Sequence, residues 1–379
     1  VRPHQVLPVA KTRGEVRLDD AATSTRPRAQ SRPEQAGPAE QCGSAMMAAL
    51  RTRAASLKQR QDAQSQLGYA LTAPLTMYWE IAQAGEQDDA EAVQRRSERQ
   101  RNETQKAFAR ARELAPDNAD IPWLAAIQCG VDEACHGVRQ ELLEAEPDNA
   151  AAWLREMAWA RMRNDKAAVD RAFQRASEAP RYDRHAGASQ LAILESFSTV
   201  AMPAECEAQN VQSELRNLIP GGGDVGAADF LLMYANSLAG IEAPAYMDIR
   251  RHCSTGSASR LDVGRRATCG KVLEKMAGSD SMLDQSIALS MLVELAGDGD
   301  DAMRWRERYR NLKWLFAHMG KPVFNVLTME DYAFDEIGAM QRALEVKGLW
   351  PAPPDWLPEN KRERSLILTG RPPEDKKPE

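Results

Sequence analysis

Six cysteines, five histidines and a few acidic groups are the residues through which this chain could do covalent, metal or acid–base chemistry. Cys129 and Cys135 flank Gly130, where the pattern ends one helix and begins the next. Cys253 and Cys269 flank residues 254–259, a second inter-helix turn. A disulfide needs Cα atoms roughly 4.4–6.8 Å apart, a spacing that the turn of a helical hairpin supplies. Two such bridges would imply an oxidising compartment. Reduced, half-buried thiols fit the pattern equally well, and Cys42 and Cys206 are left without an assignment. Cys129, Cys135 and His136 also suggest a metal, but five residues separate the cysteines where zinc sites use two to four. Cys135 and His136 are adjacent and point differently on a helix, and no fourth ligand follows. No metal is expected.

The remaining motifs are incomplete. Gly221 to Gly226 satisfies G-x-G-x-x-G, but the dinucleotide fingerprint needs a strand before it, and here Val211 to Ile219 reads as helix ended by Pro220. Gly264 to Lys271 looks like a phosphate loop, with one residue too many between its glycines and Val272 where a magnesium-binding hydroxyl belongs. It also lies inside a helical pattern. His4, His136, His185, His252 and His318 are scattered and form no H-E-x-x-H pair, and no G-x-S-x-G elbow occurs. Glu330, Asp331, Asp335 and Glu336 form an acidic group behind Thr328. Paired carboxylates can serve hydrolysis, but acids in a first turn also stabilise the helix dipole by about 0.3–1 kcal/mol each. No catalytic residue and no cofactor is expected.

The elements that must position these residues are helical. The chain has 379 residues, 43% hydrophobic and 27% charged, enough for a sizeable core and too apolar for bulk disorder. No apolar run approaches the roughly 18 residues of a membrane span, so the chain reads as soluble. A formal net charge of -6 gives no support to nucleic-acid binding. Residues 1–43 carry five prolines, alternating charges and no aromatic, and read as a disordered arm. The chain starts at Val1, so Met46 or Met47 is an alternative start and a missing leader is another. The localisation expected by default is cytoplasmic, or periplasmic if a leader is missing and the cysteines pair. From Gln87 to Leu114 there is neither Gly nor Pro. Ser281 to Ala296 places Leu283, Ile287, Ser290, Met291 and Glu294 at helical spacing, with further apolar residues beside them, as in a helix buried on more than one side.

Internal similarity is the strongest signal. Phe108, Ala111 and Pro116 lead into Asp117-Asn118, Pro147 leads into Asp148-Asn149, and Phe173, Ala176 and Pro180 close a third unit. The prolines are 31 and then 33 residues apart. Proline ends the preceding helix, Asp-Asn can cap the next, and Trp123 and Trp153 anchor the helices that follow. These residues resemble the tetratricopeptide repeat (TPR) in its second-helix Phe, Ala and Pro, over about Gln87 to Pro180. The unit lengths depart from the family's 34, Val169 stands where a small residue is usual, and Arg139 replaces the middle Phe.

The resemblance implies an all-α protein, an α-solenoid of stacked antiparallel helical hairpins in a right-handed superhelix. The expected segments are the arm at 1–43, hairpins including TPR-like repeats at 44–180, continuing hairpins at 181–348 and an extended Pro/Trp tail at 349–379. Trp350 and Trp356 in that tail are expected to cover an apolar end of the array, with an extended ligand for a partner as the alternative. The function implied is a non-enzymatic scaffold that binds a protein or peptide in its concave face. Arg155 and Arg161, on or near the first helix of the best-formed repeat, are the candidate groove residues. The alternative is a hydrolase-like enzyme on an α/α scaffold with dispersed carboxylates.

Overall fold

The computed structural model describes residues 37–84, 90–129, 135–185, 187–218, 243–253, 262–297, 300–318 and 335–373. Among them every regular element is a helix, and the one β-bridge, Asn149 to Arg181, is isolated. Residues 37–379 form one compact unit. The Gly221–Gly226 motif and Thr328, Glu330 and Asp331 lie outside the described residues.

The first helix, α1 (Pro38–Gln59), overlaps the expected arm, so residues 38–43 are helical. Pro38 sits in the first turn, where a missing N–H costs nothing. Cys42, Met46, Leu50, Ala54 and Leu57 then bury one face at three-to-four spacing. It packs on α2 (Ala63–Ala84), which packs on α3 (Ala90–Leu114). Next come α4 (Asp120–Cys129), α5 (His136–Ala145), α6 (Ala150–Met162) and α7 (Lys166–Glu178), each against its predecessor. The chain then doubles back. Helix α8 (Ala188–Phe197) lies on α2 and α4, and α9 (Ala204–Glu207) and α10 (Gln209–Leu218) lie on α1. Gly68 on α2 makes the α8 contact possible, because a Cβ there would fall on the Ser196 side chain.

Helix α11 (Ala243–Cys253) returns to α6. Helices α12 (Val263–Ala277), α13 (Met282–Ala296) and α14 (Asp300–Ala317) follow as consecutive neighbours, and α12 also meets α7. Two large cores result, one under α1–α4 and α8, the other under α7 and α11–α14. They share α6, whose Ala151, Ala152 and Trp159 enter the first core and whose Leu154, Met157 and Ala160 enter the second. A third, small cluster of Cys42, Cys206 and Val211 holds α9 and α10 to α1.

After α15 (Glu336–Val346) the tail departs from the extended form expected of it, because it contains α16 (Lys361–Thr369). The prolines flank that helix instead of interrupting it. The Asn360 side chain accepts the amides of Arg362 and Glu363, and Gly370, at φ 70°, ends the helix in the left-handed region. Leu366 and Ile367 enter the second core. The Trp314 indole donates to the Leu349 carbonyl at 2.7 Å and meets Trp356 edge-on at 5.1 Å.

Candidate functional site

Arg155 and Arg161 are both engaged with this chain's own residues. The Arg155 guanidinium lies 5.5 Å from the Trp123 ring and 5.6 Å from the Trp159 ring, between two indoles of the first core. Arg161 reaches α11, where its Nε donates to Asp248 Oδ1 at 2.8 Å. Asp248 is buried, which raises its carboxyl above the usual range against the pull of Arg161 and Arg251.

The same helix is tied down twice more. Tyr246 donates its hydroxyl to Asp284 Oδ1 at 2.7 Å, and the Arg184 guanidinium contacts both groups. Ser279 donates to Asp284 Oδ2 at 2.9 Å. Asp284 has no exposed surface, and burial pushes its carboxyl up although Arg184, Tyr246 and Ser279 oppose the shift. The third tie is covalent: Cys253, at the end of α11, forms a disulfide with Cys269 of α12, their Cα atoms 5.7 Å apart.

Between α11, α13 and the chain after α16 lies a slot of about 340 Å³. Ile287, Met291 and Leu295 of α13 and Tyr246 and Cys253 of α11 form its apolar walls. Met247, Arg250, Glu294, Arg362 and Pro372 stand around it. Arg362 donates to Glu294 at 3.3 Å. The slot explains the breadth of the apolar surface on α13. Ala288, Leu289, Leu292 and Val293 belong to the core alone, Met291 and Leu295 belong to the core and also border the slot, and Ile287, Ser290 and Glu294 complete its α13 wall; of the stripe legible in the sequence, Leu283 stays outside the slot and exposed.

A second cavity, of about 410 Å³, is bounded by Asp170, Phe173, His252, Asp262, Arg265 and Thr268. His252 lies 4.3 Å from the Phe173 ring. Burial, with Arg265 nearby, lowers its pKa to about 4, so the ring is neutral. The stretch that looks like a phosphate loop lies within α12, and the Asp262 carboxylate already accepts the Arg265 amide at its start. That helix N-terminus faces a carboxylate.

His185 organises the junction of the repeat-like units. Its Nδ1 lies 2.5 Å from Asp120 Oδ1, its Nε2 3.5 Å from Glu146 Oε2, and its ring 5.4 Å from that of Trp123. Burial opposes protonation, but Asp120, Glu146 and Asp183 outweigh it and raise the pKa to about 9. Asn149, one of the sequence's Asp-Asn caps, accepts the Ala151 and Asp183 amides and donates to Glu146. These groups are turned towards one another and hold the loop at 181–185 onto α4 and α6.

All six cysteines are bridged: Cys42 to Cys206, Cys129 to Cys135 and Cys253 to Cys269. Among the described residues no group of three or more His, Cys, Asp or Glu is arranged to hold a metal ion. Of the acidic group near 330, Asp335 caps α15 through the Gly338 amide, and Glu336 accepts the Met282 amide at 2.9 Å. Among the described residues no helix is long and apolar enough to cross a membrane. Tyr246, Arg250 and Arg362 carry no sequence motif. Asp284 left one legible trace, a carboxylate in the first turn of a mostly apolar helix. Comparison with protein-family models, with curated proteins and with solved structures finds no match to this chain.

Proposed function

We propose that this protein is a non-enzymatic scaffold that takes a protein or peptide partner, built as a right-handed solenoid of TPR-like helical hairpins. The consecutive packing of α4 to α7, and again of α12 to α14, supports the stacked-hairpin reading. The binding face is the slot beside α13. The observation that carries this is the edge of the second core along α13, where Ile287, Met291 and Leu295 border a cavity rimmed by charged side chains. The buried ionisable groups, Asp284 and His185, are paired inward with Arg184 and with Asp120 and Glu146. A hydrolase would need free carboxylates converging on a cavity, whereas Glu294 is the single carboxylate lining the slot and is paired with Arg362, and of the two aspartates bounding the second cavity Asp262 is taken up in capping α12. Three bridged cysteine pairs favour residence in an oxidising compartment.

Affinity capture from native-host extract, repeated with a slot-filling Met291→Trp variant, tests the reading. Partners recovered by the wild type should be lost with the filled slot. Recovery unchanged by Met291→Trp would remove the slot from the function.

A further inference from the structure

We propose that the segment bound in the slot is an acidic peptide carrying an apolar anchor side chain, with Arg250 as its anion contact. This rests on the slot being the scaffold's binding face. The walls set the first half of the specificity. Ile287, Met291 and Leu295 present aliphatic and thioether surface, which adapts to differently shaped apolar side chains. The volume of about 340 Å³ is at the small end of ligand sites and suits an inserted side chain better than a whole helix.

The rim sets the second half. Arg250 and Arg362 face one carboxylate, Glu294, so this rim is positive on a chain whose formal net charge is -6. Arg362 is engaged with Glu294. Arg250, exposed in the last turn of α11, has no hydrogen-bond or ion-pair partner among the described residues. A guanidinium beside an apolar slot offers a forked pair of donors to a carboxylate and repels a basic segment. Met247, 52% exposed, and Pro372 continue the apolar surface outside the slot, where the neighbours of an anchor residue would lie. That extension favours a peptide over a compact small molecule.

Fluorescence polarisation of the full chain with defined peptides tests this. The probes are a fluorescein-labelled octapeptide alternating Glu with Leu, its Lys/Leu and Glu/Ser counterparts, and decanoate as an unlabelled competitor. The Glu/Leu peptide should bind saturably and more weakly as salt rises. Its affinity should fall about tenfold or more with Arg250→Glu, less with Arg250→Gln, and vanish with Met291→Trp. Arg266→Glu, the same charge change at an exposed α12 position away from the slot, should leave it unchanged. Because Arg250 is exposed, its variants leave both cores intact. Equal binding of the Lys/Leu peptide, or insensitivity to Arg250→Glu, would overturn the proposal. So would decanoate binding with no peptide bound, which would make the slot a small-carboxylate site. If host partners are lost with Met291→Trp while the Glu/Leu peptide fails to bind, the ligand class falls and the scaffold stands. If neither responds, both fall.

Discussion

Asp284 has no exposed surface and shares one carboxylate among Arg184, Tyr246 and Ser279. Breaking such a pair from one side leaves the other charge buried. Asp284→Ala should therefore cost about 3–5 kcal/mol in chemical denaturation. The double replacement Arg184→Met with Asp284→Leu should recover most of that loss, because an apolar pair of similar size needs no desolvated charge. His185 gives a test with a pH signature. Its pKa is raised from 6.5 to about 9, so the stabilisation is fully present below pH 6.5 and is lost as pH rises through about 9. It amounts to about 3 kcal/mol at most, from the size of the shift. His185 sits at φ 50°, so His185→Asn is the appropriate probe, since Asn tolerates the left-handed region. The stability gap between wild type and variant should close between pH 6.5 and 9. His252 works in the opposite sense: with its pKa lowered to about 4, the fold should lose stability as pH falls from 6.5 towards 4, and His252→Gln should flatten that slope. None of these partnerships was legible in the sequence. Arg184 and Asp284 are 100 residues apart, and Asp120 and His185 are 65 apart, so no local pattern links them.

The helices themselves were far more legible than their partners. Helix α7 shows why, because Asp165 caps it through the Ala168 amide and Val169, Ala172, Phe173 and Ala176 repeat on one face. Cap and stripe are both local and can be read without tertiary knowledge. The helix α16 was hidden by the density of prolines around it, although its own Asn360 cap and Gly370 stop are equally local. What local signals do not encode is which helices touch. The contact of α2 with α8 depends on Gly68 having no side chain against Ser196, and Gly68→Ala should destabilise by about 1–3 kcal/mol. Adding Ser196→Gly should restore part of that, which would locate the loss at this crossing. The slot was half visible for the same reason. The α13 stripe is a periodic pattern, but Tyr246, Arg250 and Arg362 come from elements far away in the chain.

For the molecule as a whole, the bridges weigh very differently. Chain-entropy arithmetic assigns about 5 kcal/mol to Cys42–Cys206, about 3 to Cys253–Cys269 and about 2 to Cys129–Cys135, following their separations of 164, 16 and 6 residues. Paired Cys→Ser replacements should lower the melting temperature in that order. Native mass spectrometry should find the oxidised protein six hydrogens lighter than the reduced one, two for each bridge. The long bridge also bears on biosynthesis. A ribosome makes Cys42 early and Cys206 only 164 residues later, with Cys129 and Cys135 emerging in between. The first thiols Cys42 can meet are therefore the wrong ones. Closure of the short Cys129–Cys135 loop before Cys206 arrives would withdraw both competitors. A single Cys129→Ser change leaves Cys135 as a decoy, and alkylation-trapped refolding should show more scrambled monomer for it than for the double Cys129→Ser, Cys135→Ser chain. On that order of closure, the smallest disulfide loop would guard the fidelity of the largest.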